Sequence, residues 1–138
     1  MLSTSGPSPD PEATGHGVQQ AGGVDPSATT PRVVTVFRSR LRPGAPSAGY
    51  PELADRLEAR ARAMPGFVDF KTFSAPDGER VSVVTFDGWD NHRAWRDDPE
   101  HRAGQERGRT DYYETYAISV CEERHRSDFD ARSPGAAP

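Results

Sequence analysis

Two tryptophans and a histidine that lie close together in the sequence have the side chains best suited to chemistry. Trp89 and Trp95 are six positions apart across a predicted helix start, and His101 ends the motif Asp98-Pro99-Glu100-His101. Asp caps helices and Pro fits the first helical position, which places His101 in a first turn. The positive end of the helix dipole disfavours imidazolium, so a neutral His101 can act as a base or a hydrogen-bond donor. The alternatives are a surface histidine and tryptophans that only pack the core.

The elements before this segment follow from hydrophobic periodicity. A β-rich run from Val33 to Leu41 ends at the turn signal Pro43-Gly44. Apolar residues at helical spacing from Tyr50 to Met64 predict a helix, and Pro65-Gly66 ends it. A strand, a helix and a helix stop therefore precede the part of the chain that contains the tryptophans.

The rest of the pattern predicts two more strands, a helical region and a last strand. Strands over 67–73 and 80–86 are joined by a hairpin turn at Asp77-Gly78. Asp90 is expected to cap a short helix that carries Trp95, a second helical piece runs to about residue 109, and the last strand covers 114–122. The order β-α-β-β-α-β predicts an α+β, ferredoxin-like split in which helices cover one face of a four-stranded antiparallel sheet.

The sheet face away from the helices is expected to be partly apolar, which predicts a homodimer. One parity of each strand supplies that face, from Val34, Val36, Val84, Phe86 and Ile118 or their neighbours. Such a patch is removed from water when two sheets pair across a two-fold axis. The chain itself is therefore the first expected partner.

Composition excludes several classes of function. The 138 residues carry a net charge of -4, and residues 32–125 hold fourteen Arg and one Lys against sixteen acids, so no cationic surplus exists for nucleic acid. No stretch is apolar for the roughly 18 residues that a membrane span needs. Cys121 is the single cysteine and is expected to be a small buried hydrophobe, and the N-terminus lacks a secretory pattern. We expect a cytoplasmic protein without a membrane or nucleic-acid partner.

Three segments differ in composition. Residues 1–31 are rich in Gly and Pro without apolar periodicity, which predicts a disordered N-terminal arm. Residues 32–125 contain all of the predicted helices and strands and form the one expected domain. Residues 126–138 resemble the arm in composition and are predicted to be a disordered C-terminal tail.

Several motifs in this order and spacing resemble the antibiotic biosynthesis monooxygenase family over residues 32–125. They are Met64-Pro65-Gly66-Phe67, Asp77-Gly78-Glu79-Arg80, the segment Trp89 to Trp95, Asp98-Pro99-Glu100-His101, Tyr113-Glu114-Thr115-Tyr116 and Val120-Cys121-Glu122. The resemblance implies the dimeric α+β barrel fold. Members of this family include cofactor-free oxygenases of aromatic polyketides, haem-cleaving proteins and proteins without an assigned activity, so the fold alone does not settle function.

The resemblance also implies site residues. Thr85, Trp89 and Trp95 match the substrate-contacting positions of the cofactor-free oxygenases, with a hydroxyl and an indole where the family has an amide and a phenol. Trp95 and His101 become the candidate catalytic residues. The candidate substrate-binding residues are Phe37, Ser39, Thr85, Trp89 and Tyr113.

Other positions are assigned less directly. The haem-cleaving pattern keeps only its tryptophan here, because Ser39 and Gln105 replace the Asn and His, which disfavours haem cleavage. By the family layout Ser39 faces the helices, and Arg38 and Arg40 lie on the other side, where acidic residues of a partner can pair with them. His92, flanked by polar neighbours, is expected to be solvated.

The sequence therefore predicts a cofactor-independent monooxygenase that oxidises an aromatic, polyketide-type small molecule with dioxygen. No residue pattern indicates a metal, a flavin or a nicotinamide. The alternatives are a non-catalytic ligand-binding dimer and a cyclase or isomerase on the same fold, because a pocket that stabilises an enolate but excludes dioxygen would catalyse proton transfer instead.

Overall fold

A computed structural model describes residues 30–133, so nearly all of the expected N-terminal arm and the last five residues of the expected tail lie outside the described residues. The regular elements follow the predicted order. They are β1 (Val33–Leu41), α1 (Tyr50–Arg62), β2 (Phe67–Ser74), β3 (Arg80–Phe86), α2 (Trp89–Arg96), α3 (Pro99–Arg107) and β4 (Tyr113–Glu122). A 3-10 turn over Ala45–Ser47 and a π-helical turn over Gly108–Tyr112 complete the list.

The four strands form one antiparallel sheet in the order β2-β3-β1-β4. On β1, Thr35 lies opposite Val84 and Val120, and Phe37 lies opposite Ser82 and Ile118. Directly opposed residues share a face of a sheet, so these side chains lie on one side. The helices cover that side, because Thr35, Phe37 and Val84 line the cavity beneath them. We call this side the helix face and the other side the open face. The predicted α+β, ferredoxin-like architecture is confirmed.

The register corrects the predicted composition of the open face. Val34 and Val36 lie there, as predicted, opposite Thr85 and Val83 of β3. Val84, Phe86 and Ile118 lie on the helix face, because side chains alternate along each strand and their partners on β1 are Thr35, Val33 and Phe37. The open face therefore carries the strand neighbours of Val84, Phe86 and Ile118, and not these three residues themselves.

Two buried clusters lie between the helices and the sheet. Tyr50 and Leu53 of α1 pack with Ala45 and Tyr112 near one end, and Ala61 packs with Val84, Phe86 and Trp95 near the other. The Trp95 ring stacks on Phe86 with centroids 5.3 Å apart. The two clusters hold the two ends of α1 against the sheet, which leaves its middle turns beside the cavity described below.

Two helix boundaries have clear local causes. Gly66 takes a φ of 78°, a region that favours glycine, and a Cβ there would collide with Asp87 and Asn91, so glycine is required after α1. Asp98 caps α3 as predicted, accepting a hydrogen bond from the His101 amide at 3.0 Å. The prediction that Asp90 caps α2 is wrong, because α2 begins at Trp89.

Two local predictions also need correction. Arg38 and Arg40 pair within the chain, with Glu79 and Asp77 of the β2–β3 turn, each at 2.8 Å. The acidic residues that pair with them thus come from the turn of the same chain. Cys121 is exposed because it lies opposite Val34 on the open face.

Within residues 30–133, none of the helices has the length and apolar content needed to cross a lipid bilayer.

Candidate functional site

A cavity of about 350 Å³ lies between the helix face and the three helices. The sheet supplies its floor and each helix supplies part of its wall. Its lining includes Thr35, Phe37, Val84, Arg80, His92, Trp95, His101 and Tyr113. Apolar and aromatic walls with a few convergent polar groups are typical of a small-molecule site.

One end of the cavity holds an indole between two imidazoles. The Trp95 and His101 ring centroids are 4.1 Å apart, and those of Trp95 and His92 are 6.3 Å apart. All three side chains are buried. His92 and Trp95 share a helix face because they are three residues apart on α2, and His101 comes from the first turn of α3. The bend between the two helices, capped by Asp98, brings the three rings together.

Four buried side-chain polar atoms in residues 30–133 lack a hydrogen-bond partner, and all four belong to residues that line this cavity. They are Thr35 Oγ1, His92 Nδ1, Trp95 Nε1 and His101 Nδ1. An unsatisfied buried polar group costs about 1–3 kcal/mol, so folded proteins contain few of them. The protein itself supplies no partner for these four groups, so they are available to the polar atoms of a ligand in this cavity.

Burial keeps both histidines neutral. Desolvation lowers the pKa of His101, with smaller opposing effects from a hydrogen bond to the Arg96 backbone and from the charge of Asp98. Desolvation also lowers the pKa of His92, and the positive charges of Arg96 and Arg93 add to it. A neutral imidazole has one nitrogen that accepts a proton and one that donates a hydrogen bond. At neutral pH this end of the cavity can therefore take up a proton from a ligand.

The opposite end of the cavity is formed by tyrosines and an arginine. The hydroxyls of Tyr50 and Tyr113 lie 3.3 Å apart, and the ring of Phe37 packs against Tyr113 at 5.4 Å. The Arg80 guanidinium lies over the Tyr50 ring at 5.4 Å. Burial raises the pKa of Tyr113, so its phenol stays protonated and can donate a hydrogen bond.

No family model matches the chain. It is 37% identical over 73 residues to the uncharacterised protein YqjZ of Bacillus subtilis. The matched region covers 53% of this chain and 64% of YqjZ. Among solved structures it is similar to SnoaB, a cofactor-independent oxygenase from Streptomyces nogalater, with a TM-score of 0.60 and 21% identity over 70% of this chain and 97% of SnoaB. The chain has the fold of the antibiotic biosynthesis monooxygenases. A dimeric ferredoxin-like protein of unknown function from Thermobifida fusca also matches, with a TM-score of 0.56 and 16% identity over 67% of this chain and 92% of that protein.

Four of the sequence-predicted site residues come together around the cavity. Trp95 and His101 line one end, and Phe37 and Tyr113 line the floor and the other end. Ser39 lies on the helix face and is buried, but it does not line the cavity.

The structure places two predicted substrate-binding residues away from the cavity. Thr85 lies opposite Val34 on the open face, since its parity is that of the side chains turned away from the helices. Trp89 donates a hydrogen bond from Nε1 to Glu122 at 2.8 Å and does not line the cavity. Neither residue enters the proposal below.

Three residues of the cavity were not named as site residues from the sequence. His92 was expected to be solvated but is 3% exposed, and its position three residues before Trp95 was the available signal. Thr35 shares the parity of Phe37 and Ser39 on β1, which was expected to face the helices and the pocket, but it was not chosen as a site residue. For Arg80 the sequence offered no signal, because an arginine at the start of a strand is common.

Proposed function

We propose that this protein is a cofactor-independent monooxygenase that oxidises an aromatic, polyketide-type small molecule with dioxygen. The observation that carries the proposal is the set of four unpartnered buried polar atoms around an aromatic cavity that contains two neutral imidazoles. Such a cavity suits a flat molecule with polar edges and an acidic proton. The fold shared with SnoaB supports it.

The chemistry needs a base and a dry cavity more than it needs a cofactor. His101 takes the acidic proton of a phenol or anthrone, which leaves a delocalised anion in the cavity. The anion passes one electron to dioxygen, and the two radicals combine to form a carbon–oxygen bond. Protonation gives a hydroperoxide, and loss of water from it leaves a new carbonyl group. One oxygen atom enters the product and the other leaves as water, with the substrate supplying all the electrons.

The other cavity residues act on the anion. Trp95 is the flat wall, and its Nε1–H can donate to an oxygen that gains negative charge as the proton leaves. Thr35 can donate from the floor to a second oxygen. Both side chains are held by packing, Trp95 on Phe86 and Thr35 within the central strand. Donors that are fixed before the reaction stabilise a developing charge without reorganisation.

The proposed functional unit is a homodimer formed through the open face. That face carries Val36 and Val83 at its centre and Phe73, which is 51% exposed, nearer the edge. A small domain leaves such an apolar patch in water only at a cost. The dimeric fold relative from Thermobifida fusca supports this assembly.

The test is oxygen uptake by the purified protein with a panel of anthrones and hydroquinones. We expect uptake above the rate of autoxidation, and product formed in proportion to dioxygen consumed. Trp95→Phe keeps an aromatic ring at this position but removes the Nε1 donor together with one ring of the indole, so we expect it to reduce the rate by about 10- to 100-fold. Trp89→Phe is the matched control, because that indole lies outside the cavity, and it should keep the wild-type rate.

Two outcomes contradict the proposal. Conversion of the substrate at the same rate without air means that the protein is a cyclase or isomerase. Binding of the aromatic panel without any conversion means that it is a ligand-binding protein.

A further inference from the structure

Arg80 is a cavity-lining cation without a carboxylate partner. It lies at the start of β3, opposite Ser39 and Ser74, and it is half-buried on the helix face. Within residues 30–133 it forms no ion pair and no side-chain hydrogen bond. Its guanidinium makes a cation–π contact with the face of the Tyr50 ring. Its guanidinium donors are therefore not taken up by the side chains of the described residues.

The other arginines near the cavity differ from Arg80. Arg96 also lines the cavity, but its guanidinium is bound to Asp97 at 3.0 Å. Arg38 and Arg40, on the strand beside β3, are paired with acids of the β2–β3 turn. A half-buried arginine in an aromatic pocket that remains unpaired while its neighbours are paired is suited to binding an anion that arrives with the ligand.

The acidic side chains of the cavity do not take this role. Glu58 lines the wall and is paired with Arg62 at 2.8 Å. Asp55 also lines the wall, but it is exposed and forms no ion pair with Arg80 within the described part of the chain. The charge on Arg80 is therefore not neutralised by the protein.

We propose that the substrate is an aromatic acid whose carboxylate binds to Arg80 while its reacting ring lies beside the packed Trp95–His101 pair. Arginine binds carboxylate through two parallel hydrogen bonds, which fixes orientation as well as affinity. The hydroxyl of Tyr113 can donate to the same carboxylate. This inference rests on the proposed function, because it names the class of substrate for the same cavity.

The dimensions of the cavity agree with such a ligand. Arg80 and Val84 are four residues apart on β3, which corresponds to about 13 Å along a strand, and Val84 packs with Trp95. Along the facing wall, Tyr50 and Glu58 are eight residues apart on α1, or about 12 Å. A ligand of about three fused rings spans this length, so a carboxylate at one end places the far ring beside the two histidines.

The experiment is a calorimetric binding titration that needs no turnover. The probes are anthraquinone-2-carboxylate, which cannot be oxidised further by this chemistry, and its neutral carboxamide. The wild-type protein should bind the acid about 10- to 100-fold more tightly than the amide. Arg80→Gln should abolish that preference, and Arg80→Lys should keep part of it, since a point charge replaces a planar fork.

A matched control is Arg56→Gln, which removes an exposed arginine of α1 that does not line the cavity. It should leave the preference for the acid unchanged. Thermal unfolding of each variant establishes that it is folded, and the acid-to-amide ratio of the wild-type protein gives a measure that needs no variant.

Equal binding of acid and amide by the wild-type protein overturns the inference. So does an Arg80→Gln variant that keeps the preference, or a wild-type protein that binds neither probe. Selective acid binding without oxygen uptake from any substrate would instead contradict the proposed function alone. Oxygen uptake with neutral anthrones but no acid preference would contradict this inference alone.

Discussion

The imidazole of His101 lies 4.1 Å from the indole of Trp95, centroid to centroid, with the two ring planes tilted by 33°. This contact removes one side of the imidazole from water, and it explains why desolvation dominates the lowering of the His101 pKa. The same contact places a hydrogen-bond donor, Trp95 Nε1, beside a proton acceptor. The base and the group that stabilises the resulting anion are thus neighbours.

The first prediction concerns the pH dependence of catalysis. The pKa of His101 is lowered, so its imidazole stays neutral until the pH falls below the ordinary value of 6.5. Oxygen uptake should therefore be constant from pH 8 to about 6.5 and should decline only at lower pH. His101→Gln should lower the rate by about 100- to 10,000-fold, a larger factor than its effect on the affinity for anthraquinone-2-carboxamide. A variant with the wild-type rate would show that another group is the base.

The second prediction concerns stability against pH. His92 and His101 have lowered pKa values in the folded chain, so below pH 6.5 the unfolded chain binds more protons than the folded one. The free energy of unfolding should fall as the pH drops from 6.5, by up to about 1.4 kcal/mol per pH unit for each histidine. Urea titrations should find a shallower slope in His92→Gln and in His101→Gln. An unchanged slope in both would contradict the buried, neutral state.

The third prediction uses two threonines of opposite parity. Thr35→Val removes an unpartnered buried hydroxyl, so the folded protein should be as stable as the wild type or slightly more stable. Ligand affinity should fall by about 5- to 20-fold, because the ligand loses one hydrogen bond. Thr85→Val changes the same group on the open face and should leave the affinity unchanged. An equal loss in both variants would mean that the effect is not local to the cavity.

The fourth prediction concerns the link between α1 and α3. Asp98 accepts hydrogen bonds from Arg60 and from the His101 amide, and the Arg60 bonds are the main reason that its pKa falls to about 2. Asp98→Ala should lower the free energy of unfolding by about 1–3 kcal/mol, and Asp98→Asn by less, because Asn still caps.

The pH dependence provides the control for Asp98. Its pKa is lowered from 3.8, so its stabilisation is complete above pH 4 and is lost as the pH falls from there to about 2. The difference between the wild type and Asp98→Asn should shrink over this range. A constant difference would mean that the ion pair does not contribute.

The fifth prediction concerns assembly. Val83 lies opposite Val36 at the centre of the open face, so Val83→Arg should place a charge in the proposed dimer interface and produce monomers. Sedimentation should show one protomer mass where the wild type shows two. Lys71 of β2 lies opposite Val83, and Lys71→Ala removes a charge there. This variant is the control and should remain dimeric. A dimeric Val83→Arg protein would assign the interface to another surface.

Local signals in the sequence predicted most of the architecture. The helix stop at Gly66 and the cap at Asp98 each depend on the chain within a few residues, and both formed as expected. The strand patterns of β1 and β3 also depend on alternation within one segment, so the order of elements could be derived without knowing how they pack. The choice of Trp95 and His101 followed from a short motif and its resemblance to a family.

The composition of the cavity was decided by tertiary structure. Whether Thr85 or Val84 faces the helices depends on the pairing register with β1, and a shift of one residue would exchange them. His92 is buried where it packs beside Trp95 in the folded chain, and Arg80 faces the helices, whereas Arg38 and Arg40 pair with the acids of the neighbouring turn. The sequence by itself determined which elements form and where they end, because those signals are local. Only the packed sheet and helices decided which side chains share the cavity, because that depends on contacts between residues distant in the chain.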